Sequence, residues 1–251
     1  MTFDVTDAIA GDGSVTFILN IVAGNDVWFS SSEGASGPEL VIESSAIQVE
    51  VMDRQVFHNN SALDGNNPVA NTNDDQAIAS DKQALLGGET AGLDNFTSYS
   101  KGLNGIMIDI QNLPATSLSA ADFIFRTGSD INPAGWATAP APVSITVRPG
   151  DGVNGSHRVT LIWADNNQDG VADAHEAIAN GWLQVTVLPT ANTGLTSEDV
   201  FYFGNLPGDA TGDGVTNAFD LLRVRQNYLM PPGDGRDNTA DLTMDGNVKR
   251  F

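Results

Sequence analysis

The 251-residue chain contains no cysteine, which excludes disulfide bonds, thiol catalysis and thiolate zinc sites. Basic residues are also scarce: 11 lysines and arginines stand against 32 acidic residues, giving a formal net charge of −21. A surface of this sign repels phosphate backbones, so the sequence excludes nucleic acid as a partner. There is no continuous apolar run long enough for a transmembrane helix, and no membrane span is predicted.

Catalytic motifs are missing as well. The three histidines, His58, His157 and His175, lie in no recognisable zinc or catalytic pattern. The sequence contains no nucleophile elbow, phosphate-binding loop or metalloprotease helix. We therefore predict no catalytic residues and a protein that is not an enzyme. A hydrolase that uses a pair of its many carboxylates is an open alternative.

Hydrophobic residues make up 41% of the chain and glycines number 26, which is typical of a loop-rich β protein with a core. Apolar residues alternate along several segments between 105 and 204, as in Ile106, Ile108 and Ile110. The predicted fold class is all-β, an antiparallel β-sandwich of jelly-roll-like type with a small loop–helix tail. Helices are expected from Asp74 or Asp75 through Gln83 and over residues 217–229.

We divide the chain into three segments. Residues 1–45 are predicted to form strands of a partial sandwich, residues 46–205 a β-sandwich domain with a calcium loop, and residues 206–251 the tail. The first residues show no basic segment followed by an apolar one, so no signal peptide is predicted. We interpret the chain as a mature or trimmed product, and a cytosolic chain is the alternative.

The clearest chemistry lies in two twelve-residue stretches that fit the calcium-loop template, with oxygen ligands at positions 1, 3, 5, 7, 9 and 12. Ca²⁺ prefers six to eight oxygen ligands, which these acidic loops supply. The predicted ligands of the first stretch are Asp165, Asn167, Asp169, the Val171 carbonyl, Asp173 and Glu176. Those of the second are Asp209, Thr211, Asp213, the Val215 carbonyl, Asn217 and Asp220. Solvated turns are the alternative interpretation of both.

Two further segments carry the same residue types in weaker patterns. A third copy of the template contains Asp241, Thr243, Asp245 and Asn247, and the chain stops before its position 12. A frayed tail is the alternative there. The polar loop at residues 59–75 and its flank offer Asp64, Asn66, Asp74, Asp75 and Asp81, without a template spacing. Asn59, Asn95 and Asn154 stand in glycosylation sequons.

Residues 208–251 resemble a dockerin type I module. The stretch Gly208–Arg225 matches its first loop–helix repeat, and the second repeat ends before its helix. Dockerins bind calcium and dock onto cohesin modules of extracellular assemblies, so the resemblance implies Ca²⁺ and a cohesin-like or other β-sandwich partner.

Two weaker resemblances also indicate a secreted protein. Residues 4–44 resemble the end of a DNRLRE-type β-sandwich, a module of secreted and polysaccharide-associated proteins; the similarity is carried by Asp4–Asp7, Val15–Leu19, Phe29–Glu33 and Pro38–Ile42. The central region looks like a domain of large secreted planctomycete-type proteins, through Phe57–Ser61, Asp64–Asn67 and Asp199–Asn205. This resemblance of the central region implies no known activity.

The leading functional hypothesis is a non-catalytic, secreted, calcium-binding structural or adhesion protein. We expect it to assemble head-to-tail with copies of itself at the cell surface or outside the cell, because strands at one end and a calcium loop at the other lack their complements. A polysaccharide-binding module is the alternative. Such a module needs exposed aromatic residues, and Trp136 in a turn-rich segment is the best candidate, whereas Trp28 and Trp163 are predicted to be core residues.

Overall fold

The computed structural model describes residues 48–130, 132–167, 169, 173–211, 213–228 and 240–244. Several predictions therefore concern residues outside the described part: the strands of segment 1–45, and the proposed ligands Val171, Asp245 and Asn247.

Ten β-strands and one α-helix are present in the described part. The strands are β1 (Glu50–Val56), β2 (Leu85–Leu86), β3 (Phe96–Thr97), β4 (Gly105–Gln111), β5 (Phe123–Gly128), β6 (Ala137–Thr138), β7 (Ser144–Arg148), β8 (His157–Ile162), β9 (Gly181–Val187) and β10 (Asp199–Asn205). The helix α1 is Ala218–Tyr228. Short 3₁₀ helices are Thr72–Ala77, Leu93–Asn95, Ala120–Asp122, Pro133–Gly135 and Val153–Gly155.

The strands form two sheets. One sheet has four antiparallel strands in the order β1-β4-β8-β7. The other has the order β2-β10-β9-β5-β6, with antiparallel neighbours, and β3 adds a short parallel pairing to β10. The all-β class with antiparallel sheets, predicted from the alternation of apolar residues, is thus confirmed.

Both sheets contribute side chains to one buried hydrophobic cluster. Ile106, Ile108 and Ile110 of β4 enter it from the first sheet, and Leu183 and Val185 of β9 enter it from the second. Alternate residues of a strand point to the same face, which is why these apolar positions are buried together. Each such side chain contributes about 1.5–3 kcal/mol to the stability of the fold.

Strand β4 is buried on its second face as well. Met107 packs there in a smaller cluster with Phe57, Ala77 and Ile162. A Cβ on Gly105 would lie 2.6 Å from the Phe57 ring, so the strand needs glycine at this point. This second cluster lies beneath the polar loop that follows β1 and anchors both of its ends, at Phe57 and Ala77.

The predicted helix over residues 217–229 is confirmed as α1, and the tail around it contacts the β-fold. Val224 of α1 is buried with Ala210, Ala240 and Leu242. Backbone hydrogen bonds from Leu206 N–H to Thr97 O (2.9 Å), from Ser100 N–H to Leu242 O (2.9 Å) and from Ala62 N–H to Met244 O (2.9 Å) connect the tail to the strand-bearing part. In the described residues, no helix combines the length and hydrophobicity that crossing a membrane requires.

Candidate metal centre

The second predicted calcium loop brings three carboxylates together. Oxygen atoms of Asp209, Asp213 and Asp220 all lie within 4.8 Å of one another. Asp209 is 8% exposed and Asp220 is 2% exposed, while Asp213 faces solvent. In the described part of the chain, this is the one group of three or more such side chains close enough to hold a metal ion.

Backbone amides fix two of these carboxylates. Asp209 accepts hydrogen bonds from the N–H groups of Asp213 (3.1 Å) and Gly214 (2.9 Å). Asp220 accepts from the N–H groups of Thr211 (2.9 Å) and Asn217 (2.7 Å). Gly214 has a φ of +83°, a left-handed conformation that glycine adopts without strain, and the template requires this sharp turn at position 6.

These contacts also set the charge of Asp220. Burial alone would raise the pKa of its carboxyl, but hydrogen bonds from Asn217 and Thr211 outweigh burial and lower the pKa. The group is therefore ionised at neutral pH. An ionised carboxylate is the form that binds a metal ion.

The other predicted ligands of the second loop also serve the local fold. The hydroxyl of Thr211 donates to Asp220 Oδ1 (2.8 Å). The side-chain oxygen of Asn217 accepts from the N–H of Phe219 (2.8 Å), which caps the start of α1, and its amide donates to Val215 O (3.1 Å). Position 9 of this loop is therefore also the cap of the following helix.

The first loop repeats part of this arrangement. Glu176, at position 12, is 5% exposed and accepts from the N–H groups of Asn167 (2.9 Å) and Asp173 (3.1 Å). These donors stand at positions 3 and 9, as Thr211 and Asn217 do in the second loop. The N–H of Asp169 donates to Asn167 Oδ1 (2.9 Å). Both loops thus fold around their position-12 carboxylate in the same way.

Position 1 distinguishes the two loops. Asp165 accepts from the side-chain amides of Asn60 (2.7 Å) and Asn104 (2.8 Å), and its Oδ2 lies 3.0 Å from Lys101 Nζ. The carboxylate that should open the first calcium loop is therefore neutralised by a lysine. The spacing of the loop could not predict these partners, because they are 61 to 105 residues distant along the chain.

Of the third loop, the structure describes the beginning. Asp241 is 8% exposed, and its Oδ1 accepts from the hydroxyl of Thr243 (3.1 Å). The same position-3 to position-1 contact joins Thr211 to Asp209 in the second loop, at 3.4 Å.

The five acidic-loop candidates separate into two groups. Asp75 forms ion pairs with Arg148 and Arg158, and Asp81 is exposed and lies 3.1 Å from Lys82 Nζ. Asn66 is exposed in a left-handed turn with a φ of +58°. Asp64 and Asp74, by contrast, are 1% and 0% exposed. The structure therefore does not unite the five residues into one site.

The three sequons differ in accessibility. Asn59 and Asn95 are 1% and 5% exposed, so a glycan on either would require the fold to open. Asn154 is exposed in a left-handed turn. It is the one sequon asparagine whose side chain is open to solvent in the folded chain.

The tryptophans do not form an exposed row in the described part of the chain. The expectation that Trp136 is exposed is wrong: it is 8% exposed, and its indole N–H donates to Asp130 Oδ1 (3.0 Å). Its ring also packs edge-on against Tyr202, at 5.8 Å between centroids. Trp163 is a core residue as predicted, and Trp182 packs on Phe96 at 4.3 Å. Trp28 lies outside the described residues.

The side chains that could bind a metal ion in the two described loops offer carboxylate, amide and hydroxyl oxygens. These are the ligand atoms that Ca²⁺ prefers. They therefore fit this ion better than a metal that needs nitrogen or sulfur ligands. Comparisons of the chain with protein-family models, with curated proteins and with solved structures gave no match.

Proposed function

We propose that this is a non-catalytic, extracellular, calcium-binding structural protein. The observation that carries the proposal is the group formed by Asp209, Asp213 and Asp220 at the start of α1, which has the spacing of a calcium loop and the carboxylate proximity that a cation needs. The dockerin-like pattern of residues 208–251 agrees with it. At millimolar extracellular calcium, a loop of this kind stays occupied.

The ion would serve the fold. The chain carries a net charge of −21, and two of the three carboxylates of the second loop are buried beside one another. A divalent cation offsets this repulsion and ties the loop to the start of α1. The core shared by the two sheets supports a β-sandwich of jelly-roll-like type as the scaffold that carries these loops.

The first loop is proposed as a second, weaker site. Its Glu176 is held by the same two backbone contacts as Asp220, but Lys101 competes with a cation for Asp165. A ligand already paired with a lysine must lose that partner before it binds an ion. We therefore expect the two loops to fill at different calcium concentrations.

Equilibrium dialysis with radioactive calcium tests these assignments. Asp220→Asn is expected to remove one bound calcium per chain at low calcium, and Glu176→Gln to remove one that binds only at higher calcium. Asp81→Asn and Glu198→Gln, which change exposed residues by the same chemistry, serve as controls and should leave the count unchanged. If Asp220→Asn leaves the number of bound calcium ions per chain unchanged, the proposal is overturned.

Head-to-tail self-assembly stays a prediction. Negative-stain electron microscopy of the full chain in millimolar calcium, repeated after chelation, tests it: filaments that dissolve on chelation are the expected result. Dispersed particles in both conditions would reject the polymer and leave a calcium-stabilised monomer.

The polysaccharide-binding alternative finds less support. A groove of about 1000 Å³ lies beside the first loop, lined largely by alanines and by short polar residues. Its lining contains no tryptophan, tyrosine or phenylalanine among the described residues. Stacking of sugar rings on aromatic side chains therefore has no platform there.

A further inference from the structure

The polar loop after β1 contains two aspartates that are buried as completely as the hydrophobic core. Asp64 is 1% exposed and Asp74 is 0% exposed. One oxygen of each accepts a backbone hydrogen bond, from Asn67 N–H to Asp64 Oδ1 (3.3 Å) and from Asn71 N–H to Asp74 Oδ2 (2.9 Å). Within the described part of the chain, the other two oxygens, Asp64 Oδ2 and Asp74 Oδ1, have no hydrogen-bond partner.

The same loop contains a third buried side-chain oxygen without a hydrogen-bond partner. Asn59 is 1% exposed, and its side-chain oxygen has no partner among the described residues, although its amide donates to Pro68 O (3.5 Å). Buried polar atoms are almost always satisfied, so three unsatisfied oxygens in one loop require an explanation.

The terminal nitrogens of the nearby arginines are already engaged by other aspartates. Arg148 and Arg158 both form ion pairs with Asp75, and Arg148 also contacts Asp151. Arg148 is close enough to act on Asp74 through its charge, yet its terminal nitrogens donate to the two other aspartates. Burial raises the pKa of the Asp74 carboxyl, and the charge of Asp64 raises it further.

We propose that Asp64, Asp74 and Asn59 hold a hard cation of the calcium class through these three oxygens. Carboxylate and amide oxygens without nitrogen or sulfur suit Ca²⁺, and two carboxylates offset the charge of one divalent ion. Its ligands differ from those proposed for the loops at Asp165 and Asp209, so the site does not depend on the function proposed for them. Asn66, Asp75 and Asp81 are not among its ligands.

The position of the loop suggests what the ion would do. Residues 59–75 contain few apolar side chains, and the contacts of this segment with the small cluster are made by Phe57 and Ala77 at its ends and by the partly buried Ala70. Its Ala62 N–H binds Met244 O, which lies in the third calcium-loop copy. A cation inside the loop would thus order the surface on which this part of the tail rests.

The test uses the full chain and two isosteric variants, Asp74→Asn and Asp64→Asn, with Asp81→Asn as the matched control from the same region. Bound calcium is counted by equilibrium dialysis in the wild-type chain and in the Glu176→Gln/Asp220→Asn background. We expect each of the two variants to remove one calcium per chain in both backgrounds, and the control to remove none. A count unchanged by Asp74→Asn would overturn the proposal.

The main competitor is a proton shared by the two carboxyl groups. In that case Asp74→Asn would leave the melting temperature unchanged or higher in calcium and in chelator alike, which would also overturn the proposal. Should the variants fail to fold, amide hydrogen exchange of residues 59–75 in the Glu176→Gln/Asp220→Asn chain replaces them. Slower exchange in calcium than in chelator supports the site, and equal exchange contradicts it.

The design separates this inference from the proposed function. Loss of one calcium through Asp74→Asn, with none lost through Asp220→Asn, would reject the loop assignment and retain the buried site. The reverse pattern would reject the buried site alone.

Discussion

Replacing Arg158 by methionine is expected to lower the free energy of unfolding by about 3 to 5 kcal/mol, because it leaves a buried carboxylate without its cation. Arg158 Nε and one terminal nitrogen each donate to Asp109 at 2.8 Å, and the two residues are 8% and 1% exposed. The hydrogen bonds to Asp109 raise the pKa of the guanidinium further above its ordinary range. Urea denaturation followed by circular dichroism measures the loss.

Two further variants identify the cause of this loss. Arg126→Met makes the same change at a strand position whose contact is a 3.4 Å hydrogen bond to Ala134 O, and should cost less than about 1 kcal/mol. Arg158→Met combined with Asp109→Leu should recover part of the stability, because no buried charge then remains unpaired. A double variant as unstable as Arg158→Met alone would assign the loss to packing instead.

The core could be predicted from the sequence because strand geometry repeats every two residues. The alternating sets at 106–110 and 183–187 lie in the shared cluster as expected, and so do Phe123 and Phe125. This rule needs no knowledge of which strands pair. It does not reveal strand order, and the position of β10 between β2 and β9 had no signal in the sequence.

The helix expected from Asp74 or Asp75 through Gln83 is wrong, and the reason is tertiary. The structure has a six-residue 3₁₀ helix, Thr72–Ala77, capped by Asn71. Ile78 then pairs with Phe57 as a β-bridge, which ends the helix against the core. Contacts between distant segments here outweigh a local helical preference.

Contacts from distant segments also limit what the sequence predicts about the candidate site. The calcium-loop template located Asp209, Asp213 and Asp220 correctly as neighbours, because all three belong to one short loop whose turns follow from local sequence. The template also matched the first loop, yet Asp165 is bound by Asn60, Lys101 and Asn104 from other segments. Spacing predicts which residues share a loop, and it cannot predict which distant side chains reach into that loop.

Calcium removal is expected to have the other large effect on stability. A site that is filled a thousandfold above its dissociation constant adds about 4 kcal/mol to the free energy of unfolding. For a folded region of this size, that corresponds to a fall in melting temperature on the order of 10 °C when the ion is chelated. Differential scanning calorimetry in millimolar calcium and then in excess chelator measures this shift.

General screening must be separated from site binding, since any salt weakens the mutual repulsion within a chain of net charge −21. Sodium chloride at matched ionic strength should therefore raise the melting temperature slightly, and calcium much more. Asp220→Asn should shrink the calcium-specific part, because the amide removes a buried charge and one of the two acceptor oxygens that bind the backbone N–H groups of Thr211 and Asn217. Equal effects of calcium and sodium chloride would assign the stabilisation to charge screening and contradict specific binding.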